Sequence, residues 1–346
     1  MTEISTVGMD IAKLIFQVEG RDASGAVVLR RRLRRNGVLK FFIKLPRCVV
    51  ALEACATAHY WAREISAAGH DVRLIPPTGV KRFVKRGKKN DQVDAAACCQ
   101  AVASKDIDVV PIKTLEQQAV VMMHGVRQQL VEGATALSNA IRGHLAEIGI
   151  IARKGAAGFN ALVELVARPE SGPPELALIR PILAPLVAQW RTTGEQIKAI
   201  ERQIDRWHKA NRDSRLLDTI PQYGPIVASA FVAKVSDPTR FARGRQCAAW
   251  LGAVPSQHST GGKTCLGPIT KAGDRYLRTL LVIAGAGLVR RVKADPSLSP
   301  WIAGLLRRMP AKKVAVAVAN KLARIGWAVL VSGKPYDAAM SNLTAA

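Results

Sequence analysis

"STVGMDIAKLIFQVEG" (residues 5–20) is the stretch whose reading decides the fold. Apolar residues recur every second position on both sides of a turn-like Asp10-Ile11-Ala12-Lys13, the pattern of two antiparallel strands. Working outward, "GAVVLRRRL" (25–33) reads as a third strand, and "GVLKFFIKL" (37–45) has helical spacing. "CVVALEA" (48–54) is a short apolar run of the buried-strand type. "TAHYWAREISAAG" (57–69) is a helix ending on glycine, and "DVRLIPP" (71–77) is a buried strand stopped by proline. "NDQVDAAACCQAVAS" (90–104) closes the series as a helix.

The resulting order, β-β-β-α-β-α-β-α, predicts an α/β layer architecture with a mixed sheet over residues 1–110. This is the RNase H-like, or RuvC-like, arrangement. Residues 111–210 read differently. Two long helical runs, 114–149 and 176–211, flank a Gly/Pro-bearing segment that includes "RPESGPPE" (168–175), and two prolines interrupt the second run. The pattern predicts an antiparallel coiled-coil arm. Residues 211–346 read as a mainly α domain around one Gly-rich polar loop. At its start, Pro221, Gly224 and Pro225 separate two helical runs in a helix-hairpin-helix-like element.

Composition narrows the function. The 346 residues hold 51 Lys+Arg against 26 Asp+Glu, a formal net charge of +25, which predicts a polyanionic partner, nucleic acid first. The excess is uneven: net +8 over 1–110, +3 over 111–210 and +14 over 211–346. The middle therefore reads as structural and the ends as nucleic-acid surfaces. "RRRLRR" (30–35), with Arg31 and Arg32, and "KRFVKRGKK" (81–89), with Lys81, Arg82, Lys85, Arg86, Lys88 and Lys89, suit phosphate contacts. Lys263, Lys271, Arg275 and Arg278 join them around the polar loop. The six cysteines show no CxxC pair, and no histidine stands at zinc-ligand spacing. No stretch reads as a membrane span or a signal peptide, so a cytoplasmic protein with reduced thiols is expected.

The acids fall at telling places. Asp10 ends the first strand and Glu53 ends the "CVVALE" strand, where an apolar run makes a lone charge costly. Asp91 and Asp94, three apart, share one face of the last helix. Four carboxylates at one sheet edge suit Mg²⁺, and paired ions could brace both oxygens of a phosphate displacement. Read alone, Asp91 and Asp94 are equally a capped helix start, and Asp10 a turn residue. The loop "PSQHSTGGKT" (255–264) fails as a Walker-type phosphate loop, because Gln257 stands where a glycine is required. It reads either as a surface loop of turn residues or as a display for a hydroxyl nucleophile, Ser259 or Thr260, beside Lys263.

Taken together, "GMDIAK", "ALEACATAHYWAREISAAGHDVRLIPP", "KNDQVDAAA", "IPQYGPIVA" and "SQHSTGGKTCLGPITKAGDRYLRTLLV" resemble the DEDD transposases of bacterial insertion sequences, the IS110 family, and within it the subgroup with the HSTGGK-type loop. The resemblance runs in family order from residue 5 to about 330. It implies a RuvC-like DEDD domain, a coiled-coil insertion and a C-terminal transposase domain. It puts the DEDD acids on Asp10, Glu53, Asp91 and Asp94, with Mg²⁺ as cofactor. It also implies a loop serine as nucleophile, acting with the acidic cluster of a neighbouring subunit. The family's serine directly precedes glycine. Here Thr260 precedes Gly261, and Ser259 lies one earlier; Ser259 is the expected nucleophile because its primary hydroxyl is less hindered. The expected partners are donor and target DNA, a structured noncoding bridge RNA that pairs with both, and further copies of the chain as dimers forming tetramers. Two other readings compete: a RuvC-like metal nuclease that cuts without a covalent intermediate, and a non-catalytic nucleic-acid-binding protein.

Overall fold

The computed structural model describes residues 3–84, 91–104, 106–258, 260 and 265–338. The chain forms two compact units, Met1–Leu115 and Glu116–Ala346.

The first unit is built on five strands: β1 (Thr6–Asp10), β2 (Ile15–Arg21), β3 (Val27–Arg34), β4 (Val49–Glu53) and β5 (Asp71–Ile75). They lie side by side in the order β3-β2-β1-β4-β5. The first three form an antiparallel meander, while β1–β4 and β4–β5 pair in parallel. Helices α1 (Val38–Lys44), α2 (Ala58–Ala67), the short α3 (Pro77–Val80) and α4 (Asp91–Ala103) complete the unit. β1 and β4 are central and buried along their middles, and the apolar run of β4 suits a strand covered on both faces. β3 is an edge strand. Its exposed arginines blunt the unpaired backbone edge.

The sheet is covered on both faces, and residue parity assigns each side chain to one. Val7, Met9, Val50 and Leu52 pack with Phe42 of α1 and with Trp61 and Ile65 of α2. Ala51 and Ile75 face the other way, onto Ala97, Cys98 and Ala101 of α4. Gly8 shares the α4 face. A Cβ at Gly8 would overlap the Ala95 carbonyl oxygen and stand 2.8 Å from Cys99 Sγ, so α4 rests directly on the β1 backbone. That contact explains the small-residue run "DAAACC": only alanine and cysteine fit between helix and sheet at this approach.

The second unit begins with two long helices, α5 (Leu115–Ala146) and α7 (Pro174–Ala210), joined through α6 (Ala156–Ala167). At about 1.5 Å per residue they span about 48 and 55 Å. They run antiparallel. Trp207 Nε1 donates to Glu116 (2.7 Å) and Arg127 pairs with Glu201 (2.7 Å) near one end. At the other, Ile141 and Leu145 share a core with Phe159, Leu183 and Val187. Two features differ from the sequence expectation. α6 is a regular helix inside the Gly/Pro-bearing segment. And α7 continues through Pro181 and Pro185 rather than breaking. Both prolines are exposed and lie one turn apart, so the hydrogen bonds they remove free carbonyls on the solvent side, where water satisfies them.

The remainder comprises α8 (Arg212–Asp218), α9 (Pro225–Val235), α10 (Gly244–Trp250), a ribbon of β6 (Pro255–Gln257) and β7 (Leu266–Ile269), α11 (Arg275–Ala294), α12 (Pro300–Leu306) and α13 (Ala311–Ser332). Leu281, Leu288, Val318, Leu322 and Phe231 form its core around buried Tyr223, whose hydroxyl donates to the Leu322 carbonyl at 2.9 Å. Among the described residues α13 alone is long and apolar enough to cross a membrane by composition, and its apolar face is spent in this core. The ribbon is the third departure from expectation: short strands flank the polar loop in an otherwise helical region.

Candidate active site

Register brings two of the predicted acids together. β1 and β4 run parallel with Gly8 opposite Ala51 and Met9 opposite Leu52, so Asp10 and Glu53 come next on neighbouring strands. Both have the parity of the α4 face. Asp91 and Asp94 occupy the first turn of α4, and the contact at Gly8 sets that turn close over the strand ends. Asp10 registers the result. Partial burial first, then the charges of Asp91, Asp94 and Glu53, push its carboxyl from the ordinary 3.8 to about 6, against a smaller lowering effect from the Ile11 backbone. The four acids therefore share one electrostatic neighbourhood. Two thiols border it. Burial and the charges of Glu53, Asp10 and Asp94 hold Cys98 protonated, and burial with Glu53 and Asp10 raises Cys55.

Among the described residues no three His, Cys, Asp or Glu side chains stand at metal-holding spacing. The donor chemistry nonetheless fits a hard divalent cation: the four candidates are carboxylates, and their mutual repulsion is the strain a cation relieves. Residue identity suggested this set; Gly8, on which the geometry depends, was not singled out. Its signal was present, as a glycine inside a buried strand often marks a close backbone approach.

The polar loop lies in the second unit. Ser259, Lys263 and the two glycines fall outside the described residues, while Thr260 is exposed. Below the loop, the His258 N–H donates to the Cys265 carbonyl (2.9 Å), and Gln257 pairs with Leu266. The ribbon is seated firmly. Thr270 and Lys271 N–H groups donate to the Val254 and Gly252 carbonyls (2.9 and 3.0 Å). Gly252 adopts φ +68 against the Ala272 backbone, a position closed to a side chain. Asp274 caps α11 through the Leu277 N–H (2.7 Å) and pairs with Lys234 (2.6 Å). Behind this start of α11, buried His124 bridges Tyr276 Oη (3.1 Å) and Ser229 Oγ (3.0 Å). Burial first, and then Lys234 and Arg127, push His124 down to about 4.

The predicted basic residues scatter. Exposed Arg31 and Arg32 line a groove of about 570 Å³ between β3 and α1, which Arg34, Lys40 and Lys44 also line. Arg34 belongs to the same basic run, whereas Lys40 and Lys44 went unnoticed because they lie apart from it on α1. Lys81 and Arg82 are exposed on a 3-10 turn; Lys85, Arg86, Lys88 and Lys89 lie outside the described residues. Lys271 and Arg275 are exposed, whereas Arg278 Nη1 donates to the Leu251 and Gly273 carbonyls (2.9 and 3.1 Å), tying the ribbon's base to α11.

Comparison with known proteins accords with both halves. The family described as "Transposase", the DEDD transposase model of IS110-type elements, matches residues 7–150, and "Transposase IS116/IS110/IS902 family" matches residues 214–299. A Pseudomonas aeruginosa protein named "Probable family 20 transposase" is 48% identical over 94% of this chain and 97% of its own length. The "Transposase for insertion sequence element IS1328" of Yersinia enterocolitica is 36% identical over 97% of this chain and 100% of its own. With an acid cluster at the ends of a mixed sheet, and relatives matching along nearly the whole length, this chain belongs to the IS110 family of insertion-sequence transposases.

Proposed function

We propose that this transposase cuts and rejoins donor and target DNA through a serine nucleophile, Ser259, working with a Mg²⁺-binding cluster of Asp10, Glu53, Asp91 and Asp94. The observation that carries the reading is that Asp10 and Glu53 end neighbouring parallel strands beside the first turn of α4, where partial burial first and then the charges of the other three acids raise the Asp10 carboxyl. The strand order β3-β2-β1-β4-β5 supports a RuvC-like identity for residues 1–110. The paired helices α5 and α7 support a coiled-coil arm over 111–210, and residues 211–346 form the transposase domain, opening on the helix-hairpin-helix-like turn between α8 and α9.

Bound Mg²⁺ would supply charge neutralisation for the phosphate at the carboxylates. The chain's own part is positioning. The serine Oγ attacks phosphorus: one P–O bond forms, the bond to one deoxyribose oxygen breaks, and that oxygen leaves as a hydroxyl carrying the proton that the serine gives up. The phosphodiester energy is kept in the phosphoserine for rejoining. The seated ribbon would hold the loop on a fixed base. The acids come from a neighbouring copy of the chain in a dimer or tetramer, and a bridge RNA delegates sequence choice to base pairing. The net charge of +25 suits a protein that holds RNA and two duplexes in the cytoplasm.

A covalent trap tests this. Protein, Mg²⁺, RNA from the element's flank and labelled donor and target DNA are incubated, denatured and examined for label retained on protein. Adduct lost in Ser259→Ala but kept in Thr260→Ala is the expected result. Loss only in Thr260→Ala moves the nucleophile by one residue. Cutting without adduct overturns the serine mechanism in favour of a RuvC-like hydrolytic nuclease.

A further inference from the structure

The start of α10 packs against the middle of α13 and leaves a concavity of about 520 Å³ that none of the predicted site residues touches. Gly244 sets the approach: a Cβ there would meet Trp327 Cε3 at 3.0 Å and the Arg324 carbonyl at 3.2 Å. Arg243, Arg245, Lys321 and Arg324 line the concavity, and no acidic side chain does. Among the described residues none of these four cations forms an ion pair.

Each wall has a fixed partner. Trp327 donates its indole N–H to the Pro238 carbonyl at 2.9 Å, so its ring is held as a half-buried apolar wall. Lys321 Nζ sits 4.3 Å over the Trp301 ring, and its pKa is lowered by burial and by Arg324. Like charges gathered in a concavity oppose folding unless something anionic occupies it. Guanidinium groups match phosphate oxygens bidentately and hold their charge at any physiological pH.

We infer that this α10–α13 groove is a binding surface for a nucleic-acid phosphodiester backbone, with Arg243, Arg245, Lys321 and Arg324 on the phosphates and Trp327 against the sugars. The inference rests on the nucleic-acid reading above and adds a surface on the C-terminal unit, separate from the acid cluster and the polar loop. Duplex DNA and the element's RNA both present this backbone, and the test separates them.

Full-length protein is titrated against fluorescent duplex DNA and, in parallel, against RNA transcribed from the element's flank, across a range of salt concentrations. Wild type is compared with Arg245→Gln/Arg324→Gln, two exposed positions, and with Arg202→Gln/Arg206→Gln, which removes the same charge from the exposed side of α7. The groove variant should bind at least one of the two ligands ten- to a hundredfold more weakly. Its slope of log affinity against log salt should fall by about two for duplex DNA, or by slightly less for single-stranded RNA. The ligand so affected is the groove's occupant. Unchanged affinity and slope for both ligands, or an equal loss in the α7 variant, overturns the proposal. If the groove variant fails to fold by circular dichroism, Arg245→Gln alone is read, with an expected slope change of about one. Wild type that binds neither ligand refutes the broader nucleic-acid reading instead.

Discussion

Asp10→Asn should stabilise the metal-free protein above neutral pH while abolishing strand transfer. The raised carboxyl means that the folded state binds a proton more readily than the unfolded chain between 3.8 and about 6. The sign follows from linkage: with the folded pKa raised, the associated stability is fully present below 3.8 and is lost as pH rises through 6. Above that window the folded protein carries the whole cost of an ionised Asp10 that is partly buried and stands near Asp91, Asp94 and Glu53. A pH unit is worth about 1.4 kcal/mol, so the shift corresponds to about 3 kcal/mol. Asp10 is only partly buried and water screens its neighbours, so about 1–2 kcal/mol is the working figure. Asparagine keeps the shape and drops the charge. Hydrogen exchange followed on peptides from β1 and β4 reads the opening free energy of this unit within the full chain. The variant should gain about 1–2 kcal/mol at pH 8 and close to nothing at pH 3, where Asp10 is protonated in both the folded and the unfolded chain. Added Mg²⁺ should stabilise wild type by mass action and the variant much less. No gain at pH 8, or an equal gain at both pH values, would refute the argument that the four acids repel one another at this site.

Three further outcomes follow from the same geometry. Gly8→Ala should force α4 off the sheet, costing about 1–3 kcal/mol of stability by overpacking, and should eliminate DNA cleavage while leaving duplex binding within about twofold; both are read by hydrogen exchange on α4 and by titration. His124, held near 4 against an ordinary 6.5, takes up a proton in the unfolded chain before the folded one, so its stabilising contribution is present above 6.5 and is lost as pH falls toward 4, by up to about 3 kcal/mol. His124→Gln should flatten that part of the pH–stability curve for α5, α9 and α11. Gly252→Ala, at a positive φ and against the Ala272 backbone, should unseat the β6–β7 ribbon and remove the covalent adduct with no change in protection at β1 and β4.

Much of the first unit was legible from its pattern. Short apolar runs ended by glycine and proline gave the strands, and the positions of Asp10 and Glu53 at strand ends put both at one sheet edge. The second unit was harder for identifiable reasons. α6 hides in "GAAGFNALVELVA", where Gly155 and Gly158 mimic a loop; proline in α7 normally signals a break, and only exposure on the solvent side cancels it. The β6 and β7 strands are three and four residues long, too short for periodicity to register. In the candidate site, the acids were visible as residue types at spacings. The perturbation of Asp10 was not, because it comes from burial and from three charges brought together by folding. The groove between α10 and α13 was invisible for a related cause: Arg243 and Lys321 are 78 positions apart in the chain.

The rest of helix α4 on bare backbone at Gly8 has a consequence for how such a protein can change over generations. Where a helix is held off a sheet by large side chains, every core substitution alters the spacing, and a catalytic group carried on that helix drifts with it. Here main chain meets main chain, so the interval between the strand end and the first turn of α4 is set by atoms that no mutation exchanges. Substitutions among the apolar residues on the opposite face of the sheet leave that contact untouched. The geometry of the acids is inherited intact, at the cost of a single position where nothing larger than a hydrogen atom is admitted.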